Sequence, residues 1–420
     1  MKRTLVHETW GDHAALLARG SAQLGGSVGI VSPSLMDVAS PANPIELQLG
    51  GRLDQVVIHY ETYGELNARR DNAILICHAL TGSAHAAGAH EREQVPGWWD
   101  PLIGPGKPID TNRWFVVSSN VLGGCYGSTG PVSIDPATGR PYGISFPRYT
   151  IRDMVEAQRR LVDSLGIDRF ASVIGGSMGG MQVLEWAAMH PERVGSLIAI
   201  AIGPRHSAWA IGMNEVARRA IMADPQWQRG HYRLGEQPET GLGLARAIAM
   251  LSYRSFDSLE AKFGRDRRAV SELEDAVPGE GGAPLPSSRK ALEMSFEIAS
   301  YLSYQGVKLV QRFDANTYIH LTHAMDDYDL GEDRASAEKV LAQMKMPALV
   351  MGIPSDVLYP EREQLEMVEH LPNAHYARIA SPHGHDAFLI EYPQLLEMVE
   401  HLPNAHYARI ASPHGHDAFL

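Results

Sequence analysis

Between residues 73 and 200 the chain alternates short apolar runs with longer amphipathic ones. Ala73–Cys77, Trp114–Ser118, Ala171–Ile174 and Leu197–Ile200 are nearly continuous in apolar character, and Ala348–Gly352 repeats the pattern far downstream. Strands covered on both faces read this way, because neither side alternates toward water. Ile151–Leu165 and Met178–His190 carry helical periodicity, and Pro191 stops the second. Strands alternating with helices predict a doubly wound, mostly parallel α/β sheet. Residues 46–62 alternate apolar and polar positions around Gly50-Gly51, which predicts a hairpin.

From Gly203 to Met346 the pattern changes. Asn214–Ala223, Gly241–Tyr253 and Ser288–Leu309 are helical in period, strand-like runs are few, and Ala276–Pro286 is a break rich in proline and glycine. About 140 residues is too long for a loop, so this stretch is expected to be a helical lid inserted between two strands. Residues 1–30 have weak periodicity and read as an extension. Residues 365–389 recur letter for letter at 396–420. Solenoid repeats diverge and come in threes or more, so the second copy is expected to be a redundant tail. The expected organisation is an extension (1–30), an α/β core (31–203 and 346–395), a helical lid (204–345) and a duplicated tail (396–420).

Composition narrows the classes. Among 420 residues, 37 Lys and Arg face 49 Asp and Glu, a net charge of −12. A general nucleic-acid binder would need a basic face, so none is expected as partner. No run approaches ~18 uninterrupted apolar residues, so no membrane span is expected. Cys77 and Cys125 are the only cysteines and lack metal-ligand spacing; with no disulfide framework, a reducing cytoplasm is the simple expectation. Residues 1–20 carry charges throughout, unlike a secretory signal.

The chemistry concentrates at Gly175-Gly176-Ser177-Met178-Gly179, which fits G-x-S-x-G. The pattern alone is weak, but an apolar strand precedes it and a helix follows. That is the setting of a nucleophile elbow, where small residues let a sharp turn expose the serine hydroxyl. A phosphate-binding turn is the alternative, and no lysine or dinucleotide-binding spacing supports it. A serine nucleophile needs a base, and the base an orienting carboxylate, in the order Ser, Asp or Glu, His. Asp356 follows the strand Ala348–Gly352. The next strand-like run, His375–Ala380, is followed by Ser381-Pro382-His383-Gly384-His385-Asp386, where His383 and His385 compete as base. No further ligands stand at metal-binding spacing, so no metal is expected. The oxyanion hole should use the amides of Met178 and Leu80, the latter on the loop after Cys77. His78, His85 and His90 read as structural or pocket-lining.

The chain resembles the homoserine O-acetyltransferase family, acyltransferases of the α/β-hydrolase fold. The resemblance rests on blocks spanning most of residues 45–395: Tyr60–Gly64, His78–His85, Gly97–Asp100, Asn120–Pro131, Gly175–Gly180, Asn214–Ile221, Tyr253–Ser255, Gln311–Asn316 and Gly384–Leu389. It implies an α/β-hydrolase fold with a mostly parallel sheet and a helical lid. It also implies Ser177 as nucleophile, Asp356 as orienter and His385, not His383, as base. Asp386 is similar to the residue that holds the substrate amine. An arginine of the insertion pairs the substrate carboxylate, with Arg246 the best match and Arg218 second. The implied reaction moves acetyl from acetyl-CoA, a co-substrate and not a bound cofactor, to L-homoserine in methionine biosynthesis. A homodimer is implied as well. Succinyl-CoA as donor, serine as acceptor, an esterase or thioesterase, and an inactive binding protein with a tail-blocked site are the alternatives.

Overall fold

The computed structural model describes residues 26–92, 95–233, 235–267 and 296–396. The apolar runs become strands of one sheet: β1 (Ser34–Ala39), β2 (Val56–Tyr63), β3 (Ala73–Cys77), β4 (Phe115–Ser119), β5 (Phe170–Gly176), β6 (Leu197–Ile200), β7 (Ala348–Gly352) and β8 (Ala374–Arg378). Their order across the sheet is β1-β2-β4-β3-β5-β6-β7-β8. β2 runs antiparallel to both neighbours. From β4 to β8 every pair is parallel. Every residue of β3, β5, β6 and β7 is buried, which explains the unbroken apolar runs.

The expected hairpin over 46–62 is corrected. Around Gly50-Gly51 only Ile45–Glu46 and Arg52–Leu53 pair. The rest of the alternation is β2, which pairs instead with β1 and β4. Alternation reports one covered face but not which strand lies alongside.

Helices α1 (Ile151–Ser164) and α2 (Met178–Met189) precede and follow β5. A reciprocal capping box between Thr150 and Asp153 starts α1. Between β6 and β7 lie α3 (Ala208–Ala223), α4 (Glu239–Tyr253), α5 (Phe256–Phe263), α6 (Glu297–Val310), α7 (Ala315–Asp326) and α8 (Ala337–Gln343). α3 starts before the expected Asn214 because Ser207 caps it, accepting the amide of Ala210. α4 and α6 meet backbone to backbone: a Cβ on Gly306 would stand 2.8 Å from the Gly243 carbonyl oxygen. α9 (Glu361–His370) joins β7 to β8.

Residues 1–25, the Ala276–Pro286 break, the start of the expected Ser288–Leu309 helix and residues 397–420 lie outside the described residues. The last residues of the expected extension bond to the core's loops: Gly26 N–H donates to Pro105 O at 2.8 Å, and Val31 N–H just beyond to Ala89 O at 2.9 Å. Among the described residues no helix is long and apolar enough to cross a membrane.

Candidate active site

β5 ends at Gly176 and α2 begins at Met178, so Ser177 must turn the chain in one residue. It does so at φ 56°, ψ −129°, a conformation that costs a non-glycine residue on the order of 1–3 kcal/mol. The surroundings hold it there. Ser177 N–H donates to Ile200 O at 3.0 Å, and its carbonyl accepts Met181 N–H at 3.1 Å. The elbow also lies directly on the end of β3: a Cβ on Gly179 would stand 2.1 Å from the Cys77 carbonyl oxygen. Glycine at 179 is therefore a contact requirement.

That contact brings the two expected oxyanion donors to one place. Met178 N–H opens α2, where an amide has no intrahelical acceptor. Leu80 lies in the turn after β3, closed by Gly82 N–H to Ala79 O at 2.9 Å. Among the described residues neither amide donates to a protein acceptor. A buried side-chain chain fixes their spacing. Gln182 Nε2 donates to Met178 O at 3.1 Å and His78 O at 3.4 Å. Gln182 Oε1 accepts from Gln158, whose own Oε1 accepts the Trp186 indole N–H, both at 2.8 Å.

His78 is a strut. Its Nε2 accepts the Val121 amide at 3.2 Å, so Nδ1 carries the proton donated to Ala79 O at 2.8 Å. Burial drives its pKa down to about 4 and keeps it neutral. His85 and His90 face Glu61 instead.

Asp356 and His385 meet. The 28 residues between them hold α9 and β8, and the turn after β8 returns His385 Nδ1 to 2.7 Å from Asp356 Oδ2. The other carboxylate oxygen accepts the amides of Leu358 at 2.8 Å and Tyr359 at 3.0 Å. Burial on its own would lower the His385 pKa. The Asp356 charge and hydrogen bond outweigh it, and the net shift is upward. The His385 turn packs on the elbow through Phe388, whose ring leaves no space for a Cβ on Gly176. Tyr359 and Tyr253 flank the imidazole with ring centroids 5.2 and 5.8 Å away. His383 takes no part: its Nδ1 faces the Ser258 hydroxyl at 3.2 Å.

Asp386 follows His385 and is held between two arginines. Burial raises its pKa, against the opposing pull of Arg246 and Arg254. Arg254 Nη1 is 4.0 Å from Asp386 Oδ2. Arg246 lies over the Tyr253 ring at 5.4 Å, and the same ring is 5.8 Å from that of His385. Arg218 goes elsewhere: it pairs with Asp326 at 2.6 Å and Glu215 at 3.1 Å. The sequence assigned no role to Tyr253, Arg254, Tyr359 or Arg312, although it singled out the blocks Tyr253–Ser255 and Gln311–Asn316. Arg312, beyond the end of α6, donates to the Thr81 carbonyl at 2.7 Å and to the Tyr126 hydroxyl. It thereby ties the lid to the loop that carries Leu80.

Residues 72–392 match the family described as alpha/beta hydrolase fold. The homoserine O-acetyltransferase of Carboxydothermus hydrogenoformans is 51% identical over 377 residues, 89% of this chain and 95% of that one. That of Moorella thermoacetica is 49% identical over 356 residues, 84% and 91% of the two chains. Among solved structures, homoserine O-acetyltransferase from Bacillus anthracis superposes with TM-score 0.80 at 29% identity, covering 90% of this chain and 99% of that one. Esterase E22 superposes with TM-score 0.77 at 27% identity, covering 89% and 100%.

Proposed function

Because the chain belongs to the homoserine O-acetyltransferase family of the α/β-hydrolase fold, we propose that it moves an acetyl group from acetyl-CoA to the side-chain hydroxyl of L-homoserine, a step of methionine biosynthesis, through an acetyl-Ser177 intermediate. The observation that carries this reading is the Asp356–His385 pair at 2.7 Å packed against the strained elbow at Ser177. His385, neutral at Nε2, takes the Ser177 proton as Oγ attacks the thioester carbonyl. The Leu80 and Met178 amides take the oxyanion. The tetrahedral centre collapses, the C–S bond breaks, and coenzyme A leaves with the proton from His385. Homoserine then enters. Arg246 takes its carboxylate as a fork of two donors, and Asp386 takes its ammonium. His385 removes the hydroxyl proton, the oxygen attacks the acetyl carbonyl, and Ser177 departs with that proton.

Water is the competitor for the acetyl-enzyme. The helices between β6 and β7, with Tyr253 against His385, support a site that orients homoserine better than water. The cytoplasm is the proposed location and a homodimer the proposed assembly. Support for the dimer comes from apolar side chains exposed on the inserted helices, among them Trp209, Val216, Leu244, Leu251 and Phe256. Apolar side chains left exposed on the same inserted helices are candidates for cover by a second copy. The likeness to esterase E22 favours a second reading, hydrolysis.

One experiment separates them. Incubation with acetyl-CoA alone should add the mass of one acetyl group to the peptide containing Ser177. Homoserine should then discharge it as O-acetylhomoserine, faster than succinyl-CoA or serine support turnover. An unmodified Ser177 would overturn the covalent route, and discharge indifferent to homoserine would favour hydrolysis.

A further inference from the structure

Glu61 on β2 is fully buried at its side chain, and its two carboxylate oxygens each meet a histidine. Oε2 lies 3.0 Å from His85 Nδ1, and Oε1 lies 2.8 Å from His90 Nε2. The two imidazoles overlap at a centroid distance of 3.9 Å. The Tyr63 hydroxyl lies 2.8 Å from Glu61 Oε2 and accepts the Ala86 amide at 2.8 Å. None of these groups enters the acyl-transfer chemistry.

His85 poses a proton-counting problem. Its other nitrogen, Nε2, lies 3.1 Å from the Val95 carbonyl oxygen. Both ring nitrogens therefore face oxygens. A neutral imidazole has only one N–H, so the contact between Nδ1 and Glu61 Oε2 needs one more cation, either a second proton shared by the pair or a metal ion. The donation from Nε2 to a backbone carbonyl is the bond that metal-ligating histidines make with their outer nitrogen.

We propose that Glu61, His85 and His90 form a binding site for a zinc-class divalent cation, clamping the loop that follows β3 to β2. One ligand atom from each of the three residues lies within 4.8 Å of the other two. Tetrahedral zinc with bonds of about 2.0–2.1 Å holds its ligands about 3.3 Å apart, so the 3.0 and 2.8 Å contacts to Glu61 must widen by a few tenths of an ångström. Two imidazoles and one carboxylate suit zinc, cobalt or nickel better than calcium or magnesium. The side chains of His85 and His90 are 14% and 28% exposed, which leaves an entry path and a position for water.

Cobalt is the probe, because its tetrahedral complexes absorb strongly in the visible. The full-length protein, stripped with chelator, is titrated with Co2+ at pH 7.5. One equivalent of tetrahedral cobalt is expected, displaced by Zn2+ and absent in His90→Ala and in a milder His90→Asn. Circular dichroism of the variants checks that they fold. A spectrum no different from free cobalt, or one that survives both substitutions, would overturn the proposal and leave the cluster as a proton-held latch.

Discussion

Replacing Asp356 with asparagine tests the site's acid–base logic most sharply, because the two carboxylate oxygens have different tasks. Oδ1 accepts the amides of Leu358 at 2.8 Å and Tyr359 at 3.0 Å, and Oδ2 accepts His385 Nδ1–H at 2.7 Å. In the variant the amide oxygen stays with the two backbone donors. Turning it around would set NH2 against two N–H groups, losing two hydrogen bonds at about 1 kcal/mol each plus the cost of unpaired donors. The NH2 therefore faces His385, whose Nδ1 must now offer a lone pair. The ring proton moves to Nε2, so the nitrogen proposed to act as base is already a donor and cannot take the serine proton. In a serine protease the same tautomer error costs about 10⁴ in kcat, which is about 5.4 kcal/mol of barrier. A comparable fall in kcat is expected here, with the thermal midpoint nearly unchanged. Asp356→Ala should differ by also lowering stability, since it strips the two amides of their acceptor. A loss under tenfold in a folded Asn variant, or equal stability of the Asn and Ala variants, would refute the reasoning. The pH profile is a second readout. The His385 pKa stands above its ordinary 6.5, so wild-type kcat/KM should rise with pH through a midpoint above that value. The linked stabilisation has the matching sign: it is full below the unfolded pKa and lost as pH rises through the folded one.

Four further outcomes follow from the same geometry. Gly179→Ala drives a Cβ to 2.1 Å from the Cys77 carbonyl oxygen, so denaturant titration should show a loss of about 1–3 kcal/mol or more together with lost acetylation. Arg246→Lys keeps the charge but not the fork, so the homoserine KM should rise at least ~10-fold while the acetyl-enzyme burst persists; an unchanged KM removes Arg246 from the substrate site. Burial raises the Glu363 carboxyl to about 7, with its Oε2 unpartnered among the described residues. An acid with a raised folded pKa loses stability as pH climbs from its unfolded value, so Glu363→Gln should gain thermal stability at pH 8 relative to wild type and little at pH 5. Ending the chain after Leu395 should leave acetyl transfer largely intact; a large loss would transfer the base's role to His416 of the second copy.

Legibility followed how directly a residue's environment is written into its neighbours. β3, β6 and β7 begin and end where their apolar runs do, because both faces are covered. β1 is exposed over half of Ser34–Ala39 and gave no such signal. The pairing of Asp356 with His385 and the sharp turn at Ser177 were legible because each residue follows a strand in a fixed order. Arg312 and Arg254 were not, because a charged residue on a helix or just beyond it reads as solvated until the partner arrives from another element. For Arg312 that partner lies 231 residues away in sequence, at Thr81. Arg218 shows the converse: a good motif position whose charge is spent on Asp326.

The insertion between β6 and β7 divides the site in time as well as in space. Ser177, Met178 and Leu80 are synthesised before it, and Asp356 and His385 only afterwards, in the turns beyond β7 and β8. Under the proposed mechanism an emerging chain therefore carries a serine with no partner to activate it and stays chemically silent until the turn beyond β8 docks. That docking closes contacts distant in sequence, the kind that form late and slowly. The first activity of each molecule thus reports completion of its sheet.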